Sequence, residues 1–396
     1  MNSTEIKYTP RTLKSLLIDM KDTSELMIDL AYSAVIFEAK NIAKEVLRLE
    51  EKMNTIDYHT KIVAILSARR IEEAEEMAAV IRIATSSEII ANAAGVIAKI
   101  VIKDIKIPYE LKMALRNAEE TTIRAKVSEK SSIDGKKLED IKFDIETGMW
   151  IIAIRRHDEW IYDPDHSTRI RAKDVLFARG HDDGVSLFME LVTNKKHISI
   201  KKEPEKISDD FKQAINLIVE MKNMSELSVG LAYSALLFDN EDIAHEVKAM
   251  ESEMNNMKIE LQQLVLKTAK QVSDTNQLIG LLYLSNASEL ISDVAHDISD
   301  TVLRDLEPHP IISLVVRDSE EIIVKTEIGN KSEMIGKTLG NLKLETETGI
   351  HVMAIKREEK WIYKPHAATT IQEKDILISR GTRTGEEVLI KMCACQ

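Results

Sequence analysis

The stretch GMWIIAIRRHDEWIYDP, residues 148–164, returns as GIHVMAIKREEKWIYKP at residues 349–365. The offset, 349 less 148, is 201 residues, and it also carries AYSA at 31–34 onto AYSA at 232–235. Met20 and Met221, Phe37 and Phe238, Ser87 and Ser288, Gly135 and Gly336, Asp174 and Asp375, and Gly180 and Gly381 obey the same spacing. No net insertion separates anchors so far apart. The chain of 396 residues is therefore two copies of one module, joined near TNKKHISIKKEPEK, and any fold it adopts must be completed twice.

Each copy changes period partway along. Leu13, Leu16, Leu17, Met20, Met27, Leu30 and Ala34 recur at helical spacing, Ile42, Val46, Leu49, Met53 and Ile56 form a second stripe, and Ile83, Ile90, Ala94, Ile97 and Val101 a third. Pro108 closes this region, as Pro308 and Pro310 do in copy two. The pattern predicts an antiparallel three-helix bundle in each copy. Beyond it, TIRAKVSE alternates like a strand, DGKKLEDIKF reads as a short helix, and MWIIAIRR is an apolar run suited to a strand covered on both faces. A turn at His157 and Asp158 leads to EWIYDP as an antiparallel return, DVLFARG supplies another strand, and a helix follows near 185–191. The fold class expected is α+β multidomain. Helical bundles occupy 1–108 and 207–307, small α+β domains occupy 109–193 and 308–396, and 194–206 is a linker.

Composition narrows the function classes. The formal net charge of -12 excludes nucleic acid as the principal partner, because phosphate binding needs a basic surface. The densest basic cluster, Lys195, Lys196, Lys201 and Lys202, falls in the linker. The two cysteines, Cys393 and Cys395, cannot build a disulfide framework, and CACQ reads as a frayed tail in a reducing, cytoplasmic compartment. The most apolar stretch, 81–102, carries Glu88, Asn92 and Lys99, so the chain is not expected to span a membrane. No nucleophile with its base and no glycine-rich phosphate loop is visible, so the protein is not expected to be an enzyme.

The spacing of VSEKSSIDGKKL, GMWIIAIRR, a proline and KDVLFARG resembles the TrkA-C (RCK-C) family, the C-terminal ligand-binding domain of potassium-transport regulators. The matching positions are Gly135, Leu138, Gly148, Ala153, Ile154, Arg156, Pro164, Asp174, Leu176 and Gly180, each repeated 201 residues later. Lys173 and Lys374 depart from the pattern, since the family usually has Gly before that Asp. The helical parts resemble PhoU, a family of helical regulators associated with phosphate transport, in NIAKEVLRLEEKMN and SNASELISDVAHDISD. The alternating arrangement resembles archaeal proteins. The resemblance implies regulation of cation transport, with potassium the usual ion. It also implies a small ligand or ion bound by the TrkA-C domains and a membrane transporter or channel as partner. An alternative it leaves open is a metal-binding PhoU-like adaptor in phosphate or divalent-cation transport. TrkA-C domains commonly pair, so a pseudo-dimer within the chain, or a homodimer, is expected.

The resemblance also suggests sites. TrkA-C domains can bind nucleotides such as cyclic di-AMP through an Arg before the helix-ending Gly and an Asn after it. Here those positions hold Asp144 and Trp150, and Glu345 and His351. An acid in place of an anion-binding Arg reverses the electrostatics and disfavours cyclic di-AMP. The candidate ligand-binding residues are Arg155, Arg156, Trp150 and Asp144 in copy one and His351 and Arg357 in copy two. Arg169, Arg171 and Arg179 are further possible anion contacts in copy one, and the competing reading is that arginines alternating on edge strands keep those edges soluble. PhoU-like bundles can hold a divalent metal on E-x-x-x-D pairs, since a four-residue step puts two carboxylates on one helix face. Glu289 and Asp293 keep that pair and His296 extends it, whereas copy one has Glu88, Asn92 and Gly95. The competing reading there is a plain acidic surface.

Overall fold

The computed structural model describes residues 10–116, 121–157, 159–162, 164–180, 182–195, 208–269, 275–304, 309–319, 321–358 and 360–394. Cys395, Asp158, Pro308 and the linker from 196 onward lie outside them. In the first repeat α1 (Leu13–Phe37), α2 (Lys40–Ser67), α3 (Ile71–Ile102) and the short α4 (Tyr109–Arg116) precede β1 (Thr121–Lys126), α5 (Leu138–Ile141) and α6 (Phe143–Thr147). Then come β2 (Met149–Arg156), β3 (Glu159–Tyr162), β4 (Val175–Gly180) and α7 (Asp182–Thr193). The second repeat runs α8 (Asp209–Phe238), α9 (Glu241–Thr268), α10 (Asn276–Leu303), α11 (Ile311–Asp318), β5 (Ile322–Glu327), α12 (Leu339–Leu342) and α13 (Leu344–Thr348). It ends with β6 (Ile350–Arg357), β7 (Lys360–Tyr363), β8 (Ile376–Gly381) and α14 (Arg383–Cys393). This is the α+β architecture that the change of period predicts.

The four expected parts gather into two compact units. Like parts of the two repeats come together, Met1–Leu115 with Glu205–Ser319 as one compact unit and Arg116–Pro204 with Glu320–Gln396 as the other. The divisions fall after 115 and 319 rather than after 108 and 307, because α4 and α11 stay with the long helices. A proline ends a helix, but it does not end a domain when the next turn still carries an apolar face. Ile312, Val315 and Val316 of α11 are all buried, and α11 packs on both α1 and α8.

In the helical unit, α1, α2 and α3 pack on one another, as do α8, α9 and α10, and α3 meets α10 across the two repeats. The two bundles are thus halves of one body. Their joint is reciprocal: the Tyr32 hydroxyl lies 3.3 Å from Ser288 Oγ, and the Tyr233 hydroxyl 3.4 Å from Ser87 Oγ. Lys21 sits over the Tyr233 ring at 5.4 Å, and Lys222 over Tyr32 at 5.3 Å. Both lysines are buried, and each is held by the acid one turn on, Glu25 and Glu226, at 2.8 and 2.7 Å. A buried ammonium would be costly alone; here an acid and a ring face offset its desolvation. Burial pushes the Tyr233 hydroxyl up to about 12, so it stays a neutral donor. Helix α3 is long and apolar enough to cross a membrane, with a mean hydropathy of 1.4, yet 61% of that window is buried among the other helices.

Each sheet is antiparallel, in the order β1-β4-β2-β3 and β5-β8-β6-β7. Beneath the first, Ile151, Ile154, Leu176 and Ala178 pack with Phe143 and Phe188, and the second has its own core around Ile355, Leu377 and Leu389. Register shifts between Ile151 and Ala153 in β2, and again between Val352 and Ala354 in β6. The same irregularity in both copies re-aims the residues before it, Trp150 and His351 among them. Two expectations are corrected. Arg155, Arg156 and Arg179 lie on β2 and β4, which are interior strands, so they do not guard an edge. Cys393 is no frayed tail: it ends α14 buried beside Met334, and burial pushes its thiol up to about 12.

Candidate functional site between the sheet domains

Helices α6 and α13 pack against each other and join the two sheet domains, so the expected pairing within the chain is present. Each helix ends on a glycine in the left-handed region, Gly148 at φ 65° and Gly349 at φ 68°, a conformation that other residues adopt at a cost. A Cβ on Gly180 would lie 2.1 Å from the Gly148 carbonyl oxygen, and one on Gly381 2.4 Å from that of Gly349. These glycines let the end of β4 or β8 cross the α6 or α13 terminus. They deliver Asp144 and Trp150 of one copy, and Glu345 and His351 of the other, to the joint.

Around this joint Arg179 and Arg380 stand at matching positions, lining a narrow space with Trp150, His351, Asp144, Glu345 and Glu321. Arg179 Nη2 donates to Glu321 Oε1 at 2.5 Å, and Arg380 Nε is 3.7 Å from the same oxygen. Arg179 also covers the Trp150 ring at 5.4 Å. Where copy one has Trp150, copy two has His351, whose Nδ1 pairs with Glu345 Oε1. Asp144 instead accepts from the Thr382 hydroxyl at 3.1 Å, and that hydroxyl also caps α14 by accepting from Gly385 N at 3.0 Å. The joint is homologous by position but chemically different on its two sides.

Beside Asp144 and Trp150 opens a cleft of about 430 Å³. Copy one lines it with the apolar Leu138, Phe143, Trp150, Ile151 and Pro164 and with Glu139, Lys142, Asp144, Asp165 and His166. Copy two closes it with Thr382, Arg383 and Thr384, the start of α14. Apolar walls with a few polar groups and an aromatic face suit a compact organic ligand.

Of the residues singled out from sequence, Asp144, Trp150 and His351 converge on this joint. Arg156 and Arg357 do not. Arg156 Nε and Nη2 donate to buried Asp174 at 2.9 and 2.7 Å and Nη2 also to the Arg169 carbonyl at 2.7 Å; Arg357 repeats this with Asp375 and the Thr370 carbonyl. A fork engaged on both prongs fixes the loop before β4 or β8 rather than offering donors to a ligand. Arg155 lies mid-sheet opposite Trp160 and Val175. Glu321, Arg380 and Thr382 escape a reading along the chain. Arg380 has a signal, its 201-residue match to Arg179, while Thr382 replaces His181 and offers none.

The metal candidates sit on α10 of the helical unit. Lys258 Nζ is 2.9 Å from Glu289, in the place a cation would take, and among the described residues no three His, Cys, Asp or Glu side chains gather to hold a metal. These residues do not fit a divalent ion. Nor is the face plain surface: burial, then the charges of Glu289 and Glu251, push the Asp293 carboxyl up to about 6. In copy one Glu50 leans over Gly95, where a Cβ would meet its carboxylate at 2.6 Å, and takes Lys99 at 3.3 Å.

Comparison with known proteins agrees with this division. The TrkA-C domain family model matches residues 123–193 and again 323–393, and the PhoU domain model matches 218–302. No curated protein matches the chain. Among solved structures, PhoU from Pseudomonas aeruginosa is similar at 12% identity, over 74% of this chain and 95% of that one, with a TM-score of 0.39. The GsuK RCK domain is similar at 11% identity, over 72% and 68%, with a TM-score of 0.19. Those scores are too low to carry an argument. The family models carry it: each repeat contains a TrkA-C domain, and the helical region of the second repeat is a PhoU domain.

Proposed function

We propose that this chain is a cytoplasmic regulator of cation transport, potassium foremost, with its TrkA-C pair as sensor and its helical unit as relay to a membrane transporter or channel. Both matched domain families are regulatory rather than catalytic. The observation that carries the reading is the cleft beside Trp150, whose walls come from both TrkA-C copies. A ligand there touches Trp150 on one copy and the start of α14 on the other, so occupancy biases how the two copies sit together. With Glu139, Asp144 and Asp165 among its lining against Lys142 and Arg383, the cleft suits a ligand presenting a donor edge and a flat face to Trp150 more than a multiply charged anion.

Thermal-shift titration of the full chain against nucleotides, nucleosides, potassium, sodium and magnesium tests it, since a ligand selective for the folded state raises the midpoint. One of these should raise the midpoint of wild type and lose that effect in Trp150→Ala. If none does, or if the shift survives Trp150→Ala, the sensing role of this cleft is wrong. Reconstitution with a candidate potassium transporter then tests the relay: flux should depend on the added protein and its ligand.

A further inference from the structure

Strand residues alternate between the two faces of a sheet, so the first TrkA-C sheet has an outer face that its core does not use. Ala125 of β1, Ile154 of β2, Ile161 of β3 and Leu176 of β4 pack into the core. Their neighbours Lys126, Arg155, Trp160 and Val175 therefore point the other way. They form one row across the sheet, because Lys126 and Arg155 each register with Val175, and Arg155 also with Trp160. Trp160 stacks on Phe177 at 5.2 Å and lies nearly parallel to Tyr162, 6.1 Å away at 11°. The row thus sets two cations beside a wall of rings.

The acids near this row are engaged elsewhere. Glu129 takes Lys173 at 2.9 Å, Asp174 holds the Arg156 fork, and Glu159 registers with Arg156 rather than Arg155. The Arg155 Nε is buried without a hydrogen-bond partner among the described residues. A buried donor left unpaired costs free energy, which an acceptor from outside would recover. The second repeat lacks this arrangement: Glu327 stands in the place of Lys126, and Lys356, in the place of Arg155, lies over the Trp361 ring at 5.7 Å. One row carries two positive charges, and its counterpart is balanced.

We propose that the outer face of the first TrkA-C sheet binds a soluble phosphate-bearing molecule with a planar ring, its phosphate between Arg155 and Lys126 and its ring on Trp160. The planar fork of an arginine fits two phosphate oxygens, and the lysine adds a point charge. The two backbones are separated by two strand spacings, roughly 9–10 Å, so the long side chains can close on one anion from both sides. A ring laid on Trp160 extends the existing aromatic stack. None of Lys126, Arg155 and Trp160 lines the cleft beside Trp150, so this site does not rest on the sensing role of that cleft.

The chain has three tryptophans, so labelling with 5-fluorotryptophan gives three fluorine signals, assigned with Trp150→Phe, Trp160→Phe and Trp361→Phe. Phenyl phosphate titrated into the full chain should shift the Trp160 signal saturably and leave that of Trp361 in place. Lys126→Glu, which copies the second repeat, and Arg155→Gln should each weaken this binding by about tenfold or more, the loss of one charge-assisted contact. Lys126 is exposed, so its variant keeps the test decisive should Arg155→Gln fail to fold, and circular dichroism checks both. Inorganic phosphate, without a ring, and benzoate, with a single charge, should bind more weakly. The site is refuted if the Trp160 signal does not move, if its shift survives Lys126→Glu, or if Trp361 responds equally. Equal affinity for all three anions would mean general charge attraction and refutes it too. A response at Trp150 instead places the ligand in the cleft, and Lys126-dependent sedimentation with phosphatidic acid vesicles alone assigns the charge to a membrane; either outcome overturns the proposal.

Discussion

The helical unit and the sheet unit both bring two copies of one module together, but they treat the joint differently. In the helical unit the tyrosine contacts are reciprocal, lysine over tyrosine and tyrosine against serine each occurring twice, while Arg82 of α3 takes Asp297 and Asp300 of α10 with no counterpart. In the sheet unit the framework is reciprocal, with the Arg156–Asp174 and Arg357–Asp375 forks matching, while the residues facing the joint have diverged. Trp150 stands where copy two has His351, and Asp144 holds Thr382 where Glu345 holds His351. A buried hydroxyl contact between the two halves stays symmetric, because any change there must be accommodated by packing on both sides. A joint that borders a cleft is free to differ.

The largest expected effect tests the shared framework. Asp174→Ala and Asp375→Ala each remove a buried carboxylate that accepts from an arginine fork and from a backbone N–H, of Arg171 or Gln372, at 2.8 Å. Each should cost about 3–5 kcal/mol in chemical denaturation, because the arginine is left without its partner. Similar losses in both copies would sharpen the claim of a common framework, and a tolerated change in one copy would break it.

Next in size are Tyr32→Phe and Tyr233→Phe at the reciprocal helical joint. Each deletes a buried hydroxyl contact and should lower stability by about 1 kcal/mol. Equal losses are expected, read from midpoints at constant m-value. Unequal ones would show that these two tyrosine contacts have diverged as well.

A third change makes copy two resemble copy one. Position 293 is Asp where copy one has Asn92, whose Nδ2 donates to Glu88 at 2.7 Å. The folded state holds the Asp293 proton to about pH 6, whereas an unfolded aspartate releases it near 4. The folded state therefore binds more protons inside that window, so this residue's contribution to stability falls as pH rises from about 4 to 6 and is level above. Asp293→Asn should raise the melting temperature at pH 7.5 and leave it unchanged near pH 4. A gain independent of pH would mean the acid cluster is not its source.

The smallest effect concerns a family position. Lys173 and Lys374 stand where TrkA-C domains usually carry Gly, and both have positive φ, 73° and 66°. Lys374→Gly should stabilise by up to about 1 kcal/mol, since glycine adopts this conformation without a Cβ clash. A destabilisation would show that the lysine side chain repays its backbone strain elsewhere.

Much of the fold was legible along the chain. The stripe from Leu13 to Ala34 lies within α1, the run MWIIAIRR is β2, and EWIY is the returning β3. Periodicity reports which side of an element is buried, and that is a local property. The site was legible only in part. Asp144, Trp150 and His351 could be placed by their distance from Gly148 and Gly349, but the charge of Arg156 does not reveal that Asp174 takes both its prongs. Nor does the spacing of Glu289 and Asp293 reveal Lys258 on the neighbouring helix.

The sequence by itself determined that there are two copies, in which order helices and strands occur, and which glycines end α6 and α13, because repeats, periods and left-handed turns are written in neighbouring residues. Only the tertiary structure decided that like parts pair across the repeats and that the start of α14 closes the cleft of copy one. Those contacts join residues more than two hundred positions apart, such as Asp144 and Thr382, and nothing in the local pattern of either carries the identity of the other.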